Sequence, residues 1–275
     1  MNHLGIRKDE AMNNQEIKSV VQQYLMEHFS CTDEQLLHDS VFFTKNAKCQ
    51  QTYLKVLSYK ASTIVNASED IFLEVKESLQ GRNRDEVFEY PIVYGQTIHY
   101  VPDPNLIEEP EVPLEYTYEL LKGNELMKLQ GIKGFDNSLV FDNKGNTSTQ
   151  IVFVAKKGED VIGIASAGVV TDTMWEVGID VKEEYRNGGL GSKLVKTLTL
   201  EILKKGIVPF YSASVTNIGS QMVASRAGYI PCWVDTFGNI FDEYYAYDID
   251  DVIGNLKEIH NDCINCSTCK KSSDR

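Results

Sequence analysis

A mixed α/β (α+β) fold is what this sequence predicts, and three observations carry it. Short runs rich in branched and aromatic residues, such as LKVLSY and IVFVA, have strand texture. Other stretches, such as EIKSVVQQYLMEHF and LGSKLVKTLTLEIL, place apolar residues at helical spacing. Glycines, prolines and capping residues punctuate both kinds into units that do not strictly alternate. A mixed sheet flanked by helices therefore fits better than a regular βα series.

The elements follow in order. Residues 14–29 carry Ile17, Val20, Val21, Tyr24 and Leu25 on a helical stripe. Thr32 with Gln35 predicts a capping box that opens a second, short helix. YLKVLSY and ASTIVNA, within 53–67, predict strands. SEDIFLEVKESLQG, residues 68–81, predicts a helix with Ser68 as N-cap and Gly81 beyond its end. Residues 87–101 look extended. The stretch 102–113, PDPNLIEEPEVP, holds four of the seven prolines and four acidic residues and is the expected linker. It divides the chain into an N-terminal α/β region (1–110), a larger α/β domain (113–250) and a polar tail (251–275).

In the second part LEYTYELL reads as strand, and NELMKLQ and GFDNSLVF read as short helices. IVFVAKKGEDVIGIASAGVV and MWEVGIDV make three strands, the first two joined by a KKGED hairpin turn. LGSKLVKTLTLEILKKG is a helix ended by Gly206. PFYSASVTN (strand), IGSQMVASRAG (helix), and YIPCWVD and FDEYYAYDI (strands) follow.

Composition narrows the function. The chain has 275 residues, of which 42% are hydrophobic and 24% charged, as in a soluble globular protein. A net charge of −13 argues against nucleic acid as a partner, since phosphate backbones reward clustered Lys and Arg. It is compatible with a cationic small substrate. No run of about 18 apolar residues predicts a membrane span, and the first residues lack the apolar core of a signal peptide. Six cysteines in this length do not make a disulfide framework. The expectation is a cytoplasmic protein.

The stretch EEYRNGGLGSKLV puts Gly188, Gly189 and Gly191 at the start of an apolar helix, directly after a strand. Glycine there costs stability unless something must approach the backbone. The first N–H groups of a helix have no internal partner, and the dipole favours an anion. Arg186 adds a fixed positive charge and Ser192 a hydroxyl donor. A pyrophosphate is the expected visitor. The ATP-binding P-loop pattern is absent, and Leu194 stands where a dinucleotide fingerprint needs its third glycine.

Arg186-x-x-Gly189-x-Gly191 resembles the R/Q-x-x-G-x-G/A signature of the GNAT superfamily of N-acetyltransferases. Val181, the Tyr185-Arg186 pair, Asn217 and Ala227-Gly228-Tyr229 extend the resemblance over roughly 113–249. The resemblance implies a GNAT-like splayed mixed sheet flanked by helices, with acetyl-CoA as co-substrate and a small-molecule primary amine as acceptor. The strands at 174–182 and 209–216 would part in a V around the pantetheine arm. Main-chain groups of Ile179, Asp180 and Val181 would pair with that arm. Arg186, Asn187, Gly188, Gly189, Leu190, Gly191 and Ser192 would hold the pyrophosphate. Asn217 and Ser220 would face the pantetheine or thioester end.

The implied chemistry is direct attack of a neutral amine on the thioester, which needs an oxyanion donor near Val181, a base and an acid. Glu176 is the expected base; its alternatives are a merely solvated strand carboxylate and a water relay. The family's usual acid, a tyrosine seven residues after the asparagine, is replaced by Ala224. Ser220, Tyr229 and Tyr211 are the substitutes, or the thiolate leaves unassisted. Trp175, Trp233, Phe237 and Tyr244 are either acceptor-pocket or core residues, and Asp242 and Glu243 either attract an amine or form a polar turn. The alternative to an enzyme is a non-catalytic acyl-CoA sensor or pseudo-enzyme.

Two other signals complete the reading. His260, Cys263, Cys266 and Cys269 have spacing compatible with zinc or an iron–sulfur cluster, but lack the second half such sites usually pair with. A polar tail with thiols is the expectation, and no metal is assigned. His99 reads as a structural histidine at a strand end. No Ser-His-Asp arrangement is readable in the sequence.

Overall fold

The computed structural model describes residues 12–49 and 51–238. Helix α1 (Asn14–Phe29) and helix α2 (Asp33–Leu37) both open on capping boxes, Asn13 with Glu16 and Thr32 with Gln35. α1 buries Ile17, Val21, Leu25 and Phe29, one per turn, and ends on Ser30 in the left-handed region. Strand β1 (Val41–Lys45) follows, then the hairpin β2 (Leu54–Tyr59) and β3 (Ser62–Ala67). Helices α3 (Phe72–Leu79) and α4 (Arg84–Phe88) precede strand β4 (Thr97–Pro102).

After the proline-rich stretch come strand β5 (Thr117–Lys122) and a 3-10 helix, Gly123–Leu129. Then follow β6 (Thr149–Lys157), β7 (Asp160–Thr171) and β8 (Met174–Val181). Helix α5 (Leu190–Leu203), β9 (Val208–Ser214), helix α6 (Ile218–Arg226) and β10 (Tyr229–Asp235) finish the described chain.

Among the described residues ten strands form one sheet, in the order β1-β3-β2-β10-β4-β9-β8-β7-β6-β5. β4 lies between β9 and β10, and β10 also pairs with β2. The stretch 102–113 therefore joins strands of a single sheet, and the expected regions 1–110 and 113–250 share it. Prolines mark where the chain turns. Which strands then pair is decided by contacts remote in sequence.

Two helices cover opposite faces of the central strands. α5 packs Leu190, Leu194, Leu198 and Ile202 against the face carrying Trp175, Val177, Tyr211 and Ala213. α1 packs on the face carrying Met174, Val208, Phe210 and Trp233. Strand alternation puts Glu176 and Ser212 on the α1 face.

Several local expectations are corrected. Ser68 does not cap α3, because its hydroxyl accepts from Tyr53 N–H (2.9 Å); the helix starts later, after Ile71. Residues 87–101 are not extended throughout. α4 occupies 84–88 behind an Asn83–Glu86 capping box that the sequence contained in plain form. β1, an edge strand parallel to β3, was not anticipated. GFDNSLVF forms a turn in place of a helix, for a reason given below. The strand expected over FDEYYAYDI and the tail with His260, Cys263, Cys266 and Cys269 lie outside the described residues. No described helix is long and apolar enough to cross a membrane.

Candidate active site

β8 and β9 are parallel and paired from Met174↔Val208 to Val177↔Tyr211. Beyond that point they part. Each keeps its outer neighbour: β7 stays with β8 as far as Val181, and β4 stays with β9 as far as Ser214. Residues 178–181 and 212–214 thus face a gap with one main-chain edge each. A cleft of about 860 Å³ occupies the gap, large enough for a small-molecule ligand.

One end of the cleft is the start of α5. Its N-cap, Gly189, is left-handed (φ 79°), as is Asn187 (φ 65°), and no side chain caps the helix. A Cβ built at Gly188 meets nothing within 4 Å, and one at Gly191 makes only ordinary contacts with Val181 and Ile179. The protein's own packing therefore does not demand glycine at 188 or 191. Gly191 lines the cleft, and Gly188 is exposed beside it. Ser192 Oγ donates to Gly189 O (2.9 Å). Arg186 N–H is already used by Glu183 O (3.1 Å), so the cradle of free amides begins after Arg186. The Arg186 side chain folds back, its Nε donating to Val181 O (2.8 Å), which ties the cation to the end of β8.

Asp180 is not free to meet a ligand through its side chain. The buried carboxylate accepts from Asn137 N (2.9 Å), Asn137 Nδ2 (2.7 Å), Ser138 N (2.8 Å) and Ser138 Oγ (3.0 Å). These bonds clamp the turn 135–139 onto β8. A Cβ at Gly178 would meet Asn137 O at 2.3 Å, so the strand needs glycine for this close approach. The clamp explains why GFDNSLVF does not continue as a helix: two of its amides are bound to Asp180. Only the main chain of Asp180 remains for a ligand.

At the other wall, Asn217 caps α6 by accepting from Ser220 N (3.0 Å), and Ser220 Oγ meets Tyr211 Oη at 2.8 Å. Both hydroxyls line the cleft. Burial raises the Tyr211 pKa, and the Ser220 bond partly offsets it. Tyr229 is withdrawn as an acid: it is buried in the core with its hydroxyl on Thr199 Oγ1 (2.7 Å), and burial pushes its pKa well up. Ala224 is fully buried, so the helix face where a tyrosine was looked for points into the core.

On the α1 face, Glu176 is exposed and borders the cleft, with Val140, Val169 and Val170 around the same mouth. Trp175 and Trp233 are core residues, while Phe237 is half-exposed and packs beside Tyr94. Tyr244, Asp242 and Glu243 lie outside the described residues. His99 sits between Ser212 and Asp235, with Nδ1 at 3.0 Å from Ser212 Oγ and Nε2 at 2.9 Å from Asp235 Oδ1. Sequence reasoning missed this row. Its members are 113 and 136 residues apart, and no local spacing signals it. Among the described residues no group of His, Cys, Asp and Glu is arranged to hold a metal ion.

The family model for GNAT acetyltransferase matches residues 139–232, the segment that contains the splay, the glycine cradle and α6. This match spans β6 to β9, enters β10, and leaves strands β1 to β5 outside it. The chain's fold is a large open mixed sheet flanked by helices. No curated protein matches the chain. Among solved structures it is similar to a GCN5-related N-acetyltransferase from Kribbella flavida at 17% identity, covering 55% of this chain and 62% of that one, TM-score 0.42. A GCN5-related N-acetyltransferase-like protein from Streptococcus suis 89/1591 matches at 14% identity over 82% of this chain and 99% of its own, TM-score 0.43. An aminoglycoside acetyltransferase from an uncultured soil metagenomic sample matches at 17% identity over 50% and 97%, TM-score 0.35.

Proposed function

We propose that the chain is an acetyl-CoA-dependent N-acetyltransferase that moves an acetyl group to the primary amine of a small molecule in the cytoplasm. One observation carries the reading: the gap between β8 and β9 leads to a helix start that no side chain caps, where packing does not demand glycine at 188 or 191. The residues fit the coenzyme. The amides of Gly189 to Ser192, the helix dipole and the charge of Arg186 suit a pyrophosphate. The open main-chain edge at 178–181 suits the amides of a pantetheine arm.

The roles divide along the cleft. A main-chain N–H on the open edge of β8 near Val181 stabilises negative charge on the thioester oxygen. Glu176 accepts a proton from the acceptor's ammonium group, which frees the nitrogen lone pair for attack. The Tyr211–Ser220 hydroxyl pair donates a proton to the departing thiolate, with Asn217 fixing Ser220 at the start of α6. This pair takes the part left open by Ala224.

The test offers the full chain acetyl-CoA with a panel of spermidine, free amino acids, an aminoglycoside and a lysine-containing peptide, and follows free thiol. Release that depends on one amine class supports the transferase. Coenzyme binding by calorimetry with no release for any amine replaces it with a sensor.

A further inference from the structure

We propose that Ser212, His99 and Asp235 form a second proton acceptor for the amine nitrogen, in which Ser212 takes the proton that the nitrogen must still lose after it has attacked the thioester and passes its own to His99. The proposal rests on the acetyl-transfer reading, and His99 lies outside the matched segment 139–232.

The row runs across three adjacent strands on the α1 face. His99 is in register with Ser212 of β9 on one side and with Trp233 of β10 on the other. Ser212 lines the cleft where β8 and β9 have just parted, so the outer end of the row opens on the reacting space. The inner end is buried: Asp235 Oδ1 receives His99 Nε2, and Asp235 Oδ2 lies 3.1 Å from Lys55 Nζ. The imidazole is stacked on Trp233, with centroids 4.6 Å apart and planes 5° apart, and Phe210 stands at 5.9 Å. The ring is held against turning over.

These contacts fix the direction of the hydrogen bonds. An ionised carboxylate only accepts, so the neutral ring must carry its hydrogen on Nε2. Nδ1 then keeps its lone pair, and Ser212 must donate to it. A histidine that merely filled the sheet would serve as well with a core group at Nδ1. Here the partner is a hydroxyl at the wall of the cleft.

The transfer balances. After attack the nitrogen carries one proton too many; that N–H bond breaks and its electron pair stays on nitrogen as the lone pair of the amide product. Ser212 Oγ bonds that proton while its own O–H breaks, and the released proton bonds Nδ1. The imidazolium so formed faces Asp235, and the return of the proton to solvent resets the row. Lys55 neutralises part of the carboxylate's field. From α1, Tyr24 faces the group as a neutral phenol, and His28 is neutral because desolvation and then Lys55 push its pKa down to about 4. For Asp235, burial favours the acid form, but the hydrogen bond from His99 and the charge and hydrogen bond of Lys55 outweigh it and hold the carboxyl below its ordinary range. Glu176, across the mouth on β8, is the remaining nearby carboxylate. In general an imidazole is a stronger base than a carboxylate by about two pKa units.

The experiment compares the full chain with Ser212→Ala, Ser212→Thr and His99→Gln, using the panel amine that the native protein turns over fastest. Loss of the relay should lower kcat on the order of 100-fold in Ser212→Ala and His99→Gln, with acetyl-CoA affinity unchanged. The acidic limb of the kcat/KM profile should move, and Ser212→Thr should restore rate and limb. An unchanged limb and rate in Ser212→Ala overturns the relay. Nitrogen NMR of the native chain near neutral pH gives a readout that needs no acceptor: Nε2 of His99 should be protonated and Nδ1 bare. A hydrogen on Nδ1 refutes the relay and leaves the transferase standing, whereas failure to bind acetyl-CoA refutes the transferase and the relay with it.

Discussion

On the α5 side of the splay, the groups at the helix-start end of the cleft come from one short stretch, Val181 to Ser192. On the α1 side, Tyr24, Lys55, His99, Glu176, Ser212 and Asp235 come from six different elements. The first side is a local device. A strand end, two left-handed residues and a helix start occur in consecutive residues, so sterics and the helix dipole can be reasoned from the sequence. The second side exists only after β4 has entered between β9 and β10. The difference teaches that the helix-start half of the cleft is written in chain order, while the α1 half is written in sheet order.

Four substitutions break or sharpen that contrast. The largest effect is expected at the local device. Gly188→Leu meets no protein atom near its Cβ, so the fold should hold, while the side chain blocks the cradle. Losing two or three charge-assisted hydrogen bonds should weaken acetyl-CoA binding about 1000-fold by calorimetry, with melting temperature unchanged. Next comes the clamp between the halves. Asp180→Ala leaves four donors of Asn137 and Ser138 without their acceptor, and should cost about 3 kcal/mol of unfolding free energy in a denaturant titration.

On the acceptor side, Glu176→Gln should lower kcat about 100-fold and leave coenzyme affinity intact, a split that separates it from the cradle variant. The smallest effect is expected at Tyr211→Phe, which removes one hydroxyl from the Tyr211–Ser220 pair. A thiol is already a fair leaving group, so a fall of about 10-fold in kcat is expected, with Ser220 still in place. If Gly188→Leu lowered kcat without touching coenzyme affinity, the assignment of the two ends would be reversed.

Legibility followed the same division. α1, α2, α5, the β6–β7 hairpin and the glycine loop were readable, because caps, turn residues and apolar spacing act within a few residues. The boundary at 102–113 misled, since prolines report a turn and carry no information about whether β4 will leave the sheet of its successors. Ser68 misled because a hydroxyl that suits a helix cap suits the Tyr53 amide equally well. Tyr229 was plausible as an acid by its place after Gly228, and only the packing that puts its hydroxyl on Thr199 removes it. The place of Asp180 on β8 was readable and the use of its carboxylate was not, because its partners at 137 and 138 are 43 and 42 residues away.

The central claim is that the amides of Gly189 to Ser192 hold the pyrophosphate of coenzyme A. Amide resonances or hydrogen exchange of those residues, followed during titration of the full chain with acetyl-CoA, test it most directly. Saturable shifts and slowed exchange centred on Gly189, Leu190, Gly191 and Ser192, absent in Gly188→Leu, are the predicted result. A titration that leaves those four amides untouched, or that perturbs them equally in Gly188→Leu, contradicts it.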